Sequence, residues 1–196
     1  LVTMVLAAQF VLCTPAAFAF ARLSFPGRDT LFALVLLQLM IAPDVLMVEN
    51  YRNIGRVGLV DSLLGIALPY LGSAFGIFLL RQAFLTVPRD LDDAARLEGS
   101  SLVGRIWRVY MPLARPVYIA YGLVLVSFHW NNFLWPLVIT NSVTVRPITV
   151  GLAMFSTTDQ GTDWAIITAA TLMSSAPLVV AFLLFQRQFV QSFMRV

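Results

Sequence analysis

Apolar runs alternate with short polar connections along the whole chain. Five of them, at 2–21, 30–48, 63–84, 116–139 and 164–186, approach the ~20 residues a helix needs to cross a bilayer. The pattern predicts an all-α, polytopic membrane helix bundle with five visible spans. Each run carries an internal proline: Pro15, Pro43, Pro69, Pro136 and Pro177. Membrane helices tolerate proline where neighbouring helices or water satisfy the freed backbone groups, so kinked spans around a path are expected. In the third run, Gly72 and Gly76 stand in a GxxxG relation (GSAFG), a spacing that lets another helix approach closely.

The longest polar interruption is 88–116, PRDLDDAARLEGSSLVGRIWRVYMPLARP, between the third and fourth runs. Arg89, Arg96, Arg105, Arg108 and Arg115 interleave there with Asp90, Asp92, Asp93 and Glu98. The order reads helix, break, helix. Three aspartates crowd the start of the first helix, where carboxylates favour the positive end of the backbone dipole. Gly99 is placed to end it in the left-handed conformation. Ser100 and Ser101 can cap a second helix, with Arg105 and Arg108 near its C-terminal end and Pro112 as its stop. A basic loop between spans can simply touch headgroups or fix orientation. Interleaved acids and two capped helices fit a handle for another protein better.

Composition narrows the class. With 59% hydrophobic residues and a mean hydropathy of +0.84, the chain is too apolar for an ordinary soluble domain, where apolar residues make up ~45–50%. All 13 basic residues are arginine. A phosphate-binding loop of the GxxxxGK[ST] type needs a lysine, so that nucleotidase chemistry is excluded. Cys13 and His129 are the single cysteine and histidine, which excludes an intrachain disulfide and a Cys/His zinc cluster. The net charge of +3 does not mark a nucleic-acid binder, because the arginines gather at span boundaries.

Assigning the connections alternately to two sides separates the arginines. Arg22, Arg28, Arg81, Arg89, Arg96, Arg105, Arg108, Arg115, Arg187 and Arg195 share one side, against Arg52, Arg56 and Arg146 on the other. The positive-inside rule puts 88–116 and the C-terminus in the cytoplasm. The first run starts at once, without a signal-peptide n-region or cleavage site, so an upstream piece with at least one more span is expected. On the outer side, 49–62 fits a short interfacial helix and 140–163 is polar, and neither resembles a catalytic constellation.

The fourth run contains a second polar island: Ser127, His129, Trp130, Asn131, Asn132 and Trp135, followed by Pro136. Consecutive amides are costly against lipid and should face protein or water. Amides and indoles suit hydroxylated solutes, whose edges want hydrogen bonds and whose CH faces stack on aromatics. Equally, the asparagines can bond to neighbouring helices, the tryptophans can sit in an aromatic belt, and His129 can be a packed histidine.

Asp93-Ala94-Ala95, then Gly99, then nine residues, then Val109-Tyr110-Met111-Pro112 resembles the EAA motif of bacterial ABC importer permeases, E-A-A, three residues, G, nine residues, I-x-L-P. Ala94, Ala95, Gly99 and Pro112 match in identity; Asp93, Val109 and Met111 replace Glu, Ile and Leu. FARLSFPGR (20–28), LPYLGSAFGIFLLRQAFLTVPRDL (68–91) and WNNFLWPL (130–137) look like the carbohydrate-uptake branch, most of all its maltose-type and glycerol-3-phosphate-type permeases. Asn132 stands where that family commonly has the aspartate of WND.

The resemblance implies a transmembrane domain over 1–196, N-terminally incomplete by one helix of a six-helix core, in the bacterial inner membrane. Residues 88–116 would be the coupling loop within it. Asp93, Ala94, Ala95, Glu98, Gly99, Arg105 and Pro112 would couple to a cytoplasmic ATPase dimer that carries ATP and Mg; this chain would bind no cofactor and have no ATPase site. A second permease subunit, an extracytoplasmic solute-binding protein and membrane lipid would be the other partners. His129, Trp130, Asn131, Asn132 and Trp135 would line the path of a sugar, polyol or glycerol phosphate. An ion-gradient-driven secondary transporter is the alternative; it calls for intramembrane carboxylates, and Asp44 is the one candidate. A membrane enzyme would need a carboxylate paired with His129, and none is near it in the chain.

Overall fold

The computed structural model describes residues 1–154 and 164–193. Arg195, the C-terminus and part of the 140–163 connection lie outside the described residues. In chain order come α1 (Val2–Arg22), α2 (Arg28–Leu37), α3 (Met47–Arg56), α4 (Leu63–Ala67), α5 (Ala74–Leu85) and α6 (Arg89–Leu97). They are followed by α7 (Leu102–Arg105), α8 (Met111–Leu113), α9 (Arg115–Trp130), α10 (Leu134–Ile139), α11 (Ile148–Met154) and α12 (Trp164–Phe193). No strand occurs among the described residues. The helices form a bundle in which α1 packs on α5 and α9, α2 on α5, and α12 on α9.

Three of the five expected spans are not merely kinked but broken. Among the described residues, Val2–Arg22 alone is long and apolar enough to cross a membrane unaided; up to four spans result if each bent pair counts as one. The second run turns by 92° between Met40 and Pro43. A residue before proline is pushed out of the α region, and Ala42 is extended at φ −64° and ψ 132°. The third run bends by 49° between Tyr70 and Ala74, where Ser73 is extended and its Oγ accepts from the Gly76 amide at 3.0 Å. The fourth stops at Trp130 and resumes as α10. Pro136, lacking an N–H, cannot bond back across that break. By contrast Pro15 and Pro177 lie inside unbroken helices.

The two glycines of GSAFG play different parts. A Cβ on Gly76 would sit 2.2 Å from the Tyr121 hydroxyl oxygen, so α5 and α9 touch only because that position is bare. Gly72 lies in the break with open space around it. The expected pairing of both on one helix face does not occur, because Ser73 starts α5 after Gly72.

Apolar packing is continuous from one end of the bundle to the other. Cys13, Phe18, Leu80, Phe84, Tyr110 and Tyr118 form the cluster beside 88–116. Val5, Ala67, Tyr121 and Leu125 form the next, and Ile54, Ile66, Trp135 and Ile139 the last. Beyond these, the connections at the opposite end are clasped by Asp61. Its carboxylate accepts from the amides of Asn141 and Ser142 at 2.9 and 3.0 Å and from the Ser142 hydroxyl at 2.6 Å. The Ser142 hydroxyl, then the two amides, hold its pKa below the ordinary 3.8. The short helix expected within 49–62 forms as α3, with Glu49 and Arg52 paired at 3.0 Å on its exposed face.

Candidate functional site

Residues 89–113 fold as a helical hairpin, as the caps in its sequence require. Asp90 and Asp92 sit in the first turn of α6. Gly99, at φ +75°, turns the chain, and the Ser101 hydroxyl caps α7 by accepting from the Gly104 amide at 3.1 Å. The second helix runs on as a π turn, Ile106–Tyr110, into α8. Pro112 therefore does not stop it. The chain bends by 81° at Ala114 instead, just before Pro116 occupies the first turn of α9. Proline has no N–H to give to a residue four back, and π turns of this kind are frequent at functional sites.

Where α6 meets α7 the hairpin buries charge, while several of its apolar side chains are exposed. Asp92 and Arg105 are the buried residues of α6 and α7 respectively, each about 5% exposed. Arg105 Nη1 donates to both Asp92 carboxylate oxygens at 2.9 and 3.0 Å, and half-exposed Arg96 adds a contact at 3.0 Å. On the outer surface Leu97 is 91% exposed, with Val103 and Trp107 each 63% exposed. Asp93, Ala94, Glu98, Gly99 and Pro112 are also exposed, and Ala95 is half-buried. Arg105, expected on that surface, is turned inward. Tyr110 is fully buried, and burial pushes its hydroxyl up to about 12 in spite of the nearby Arg22 cation.

The second region is a cavity of about 480 Å³ between the broken helices, lined by Gln9, Asp44, Tyr70, Ser73, Tyr121 and His129 among others. Such a volume is typical of small-molecule sites. Gln9 Nε2 donates to the Tyr70 carbonyl at 2.6 Å, and its Oε1 accepts from the Tyr121 hydroxyl. Of the five residues expected along a path, His129 and Trp135 line this cavity. His129 is buried and meets the rings of Tyr70 and Phe128 edge-on at 4.9 and 5.2 Å. The Trp135 indole donates to the Ile66 carbonyl at 3.1 Å.

The other three lie off it. Trp130 donates to the Ser174 carbonyl at 3.1 Å. Exposed Asn131 bonds to the Ser127 carbonyl at 2.8 Å, and Asn132 to the Tyr70 hydroxyl at 2.8 Å. Sequence reasoning missed Gln9, Tyr70 and Tyr121, which come from distant runs and meet only through α1–α5–α9 packing. Asp44 also lines the cavity, at the 92° turn rather than inside a straight span.

Known proteins resemble this chain in sequence and in fold. Residues 2–195 match the family described as the binding-protein-dependent transport system inner membrane component. The sn-glycerol-3-phosphate transport system permease protein UgpE of Yersinia pestis bv. Antiqua (strain Antiqua) is 34% identical over 176 residues, covering 89% of this chain and 63% of the relative. The arabinooligosaccharides transport system permease protein AraQ of Halalkalibacterium halodurans is 34% identical over 173 residues, 88% of this chain and 62% of the relative. The chain thus spans less than two thirds of the length of these curated relatives. In fold, it is similar to the crystal structure of a bacterial ABC transporter involved in the import of the acidic polysaccharide alginate, with a TM-score of 0.85 and 22% identity over 96% of this chain and 71% of that one.

Proposed function

Since the chain belongs to the family of binding-protein-dependent transport system inner membrane components, we propose that it is a permease subunit of an ATP-driven importer for a sugar or sugar-like solute. The observation that carries this reading is the exposed apolar tip of the 89–113 hairpin, with Leu97 91% exposed. Beyond the spans such a surface has no lipid to cover it, and exposed apolar patches rimmed by polar residues mark protein interaction sites. Its partner is a cytoplasmic ATPase subunit, which holds ATP and Mg²⁺; this chain supplies the lever. Asp93, Arg96 and Glu98 are exposed on the same hairpin as Leu97, Val103 and Trp107.

In this reading the hairpin and C-terminus are cytoplasmic, a second permease subunit completes the path, and an extracytoplasmic binding protein delivers solute. Closure of the ATPase dimer shifts the hairpin and biases the bundle between inward-open and outward-open states. The cavity supplies hydrogen-bonding groups from Gln9, Tyr70, Tyr121 and His129 for a hydroxylated solute. The names of UgpE and AraQ support a sugar-type substrate. An ion-gradient mechanism has less support, because Asp44 has no second carboxylate beside it among the residues lining the cavity.

Co-purification tests the reading. The parent chain, expressed with its second permease subunit and ATPase, is expected to retain the ATPase through detergent extraction. Leu97→Asp with Trp107→Asp should lower that retention by about thirtyfold, the effect of losing an interface anchor worth roughly 2 kcal/mol. A parent chain that never holds an ATPase, or crosslinks from the hairpin to the outer face, would overturn it.

A further inference from the structure

We propose that the Asp92–Arg105 pair, backed by Arg22, is a positioning device that makes the hairpin one rigid piece with the inner ends of α1 and α5. The proposal rests on the permease reading. Its first support is where burial falls. Asp92 and Arg105 are the buried residues of α6 and α7, so the two short helices have almost no apolar core of their own. A buried ion pair is a poor way to gain stability, since desolvation offsets much of the attraction. It does impose one geometry, because any slip of α6 against α7 separates two charges that water cannot reach.

The pair is also tied to the bundle. The Arg105 guanidinium carbon lies 5.6 Å from the centre of the Phe18 ring on α1. Phe18 meets Tyr110 edge-on at 5.0 Å, and Phe84 of α5 meets the same ring at 5.3 Å. Arg22, at the end of α1, stacks on the Tyr110 ring at 5.3 Å. It also donates to the Phe84 carbonyl at 2.7 Å and to the Val87 carbonyl. These two carbonyls lie where α5 ends and the hairpin begins. One connected set of side chains therefore joins both hairpin helices, α1 and α5, and a displacement at Leu97 has no soft joint in which to dissipate before it reaches the spans.

The test needs no knowledge of the solute. In the complete complex of both permease subunits and ATPase, a cysteine placed at cavity-lining Leu39 (Leu39→Cys) is labelled with a membrane-impermeant maleimide, with and without ATP and orthovanadate. Trapping is expected to change the parent labelling rate about tenfold, a usual size for coupling between sites. Arg105→Gln should lose most of that change. So should the apolar pair Asp92→Leu with Arg105→Met, which leaves no buried charge behind and should hold the ATPase and hydrolyse ATP. The apolar pair keeps the hairpin folded if single variants do not. Arg105→Lys, which retains a cation for Asp92, should keep at least half of the parent response.

An undiminished response in the apolar pair, or equal responses in the Gln and Lys variants, would overturn the proposal and leave the permease reading intact. A parent complex with no ATP-dependent change at all would overturn both.

Discussion

Two polar islands interrupt this apolar chain, and they use their polarity in opposite senses. In the 89–113 hairpin the charged pair Asp92–Arg105 is inside, and Leu97, Val103 and Trp107 are outside. In the 127–136 island Trp130, Asn131, Asn132 and Trp135 all direct their donors to neighbouring carbonyls or hydroxyls of the bundle. Polar content alone would rank the two alike as candidate sites. What separates them is the partner each group has found: satisfied donors describe packing, whereas uncovered apolar side chains beyond the spans call for another surface.

That contrast breaks most visibly if the hairpin tolerates loss of its charges. Arg105→Ala should destabilise the protein by about 3–5 kcal/mol, the usual cost of leaving one member of a buried pair behind. Thermal unfolding in detergent measures it, and a shift no larger than that of a surface variant would erase the distinction. Gly99→Val comes next. There is room for its side chain, since nothing lies within 4 Å, but φ of +75° makes the backbone strained by roughly 1–3 kcal/mol. The ATPase should still bind while ATP-driven change at the cavity weakens.

On the other island Asn132→Leu should cost about 1 kcal/mol, one hydrogen bond to Tyr70, seen as a modest shift in melting temperature. Asn131→Leu, at an exposed position, should stay within about 0.5 kcal/mol of the parent. A large loss of transport with either, at unchanged stability, would move the island from packing to the solute path. The smallest effect concerns the outer clasp. Because Asp61 is held below 3.8, its contribution is full above that value and fades as pH falls through the lowered pKa. Asp61→Asn should lower the stability slightly at neutral pH and flatten the acid limb of the unfolding profile, so that the two proteins converge at low pH.

Much of this was legible in the chain before any coordinates. The spacing of Asp93, Gly99 and Pro112, with the serines as caps, anticipated a two-helix element and the left-handed glycine between its parts. Helix caps are local chemistry, so sequence carries them well. The inward turn of Arg105 was not legible, because its partner Asp92 lies thirteen residues away on a different helix and Asp93, beside it, carries the same charge. The prolines anticipated kinks in the second, third and fourth runs, but not that these would open into full breaks. Hydropathy registers whether a segment prefers lipid, and Ala42, Gly72 and Phe133 are as apolar as any neighbour although the helix stops near each. The cavity residues Gln9 and Tyr121 meet only because Gly76 is bare, which the GSAFG spacing hinted at for one of its two glycines.

The corner at Ala114 has one more consequence. Its amide bonds back to the Tyr110 carbonyl, and its own carbonyl accepts from the Val117 and Tyr118 amides, so the angle is braced on both arms. A braced right angle behaves as a crank, not a hinge. In the permease reading, a push on the hairpin would therefore be handed on to α9, the helix that carries Tyr121 and His129 into the cavity wall.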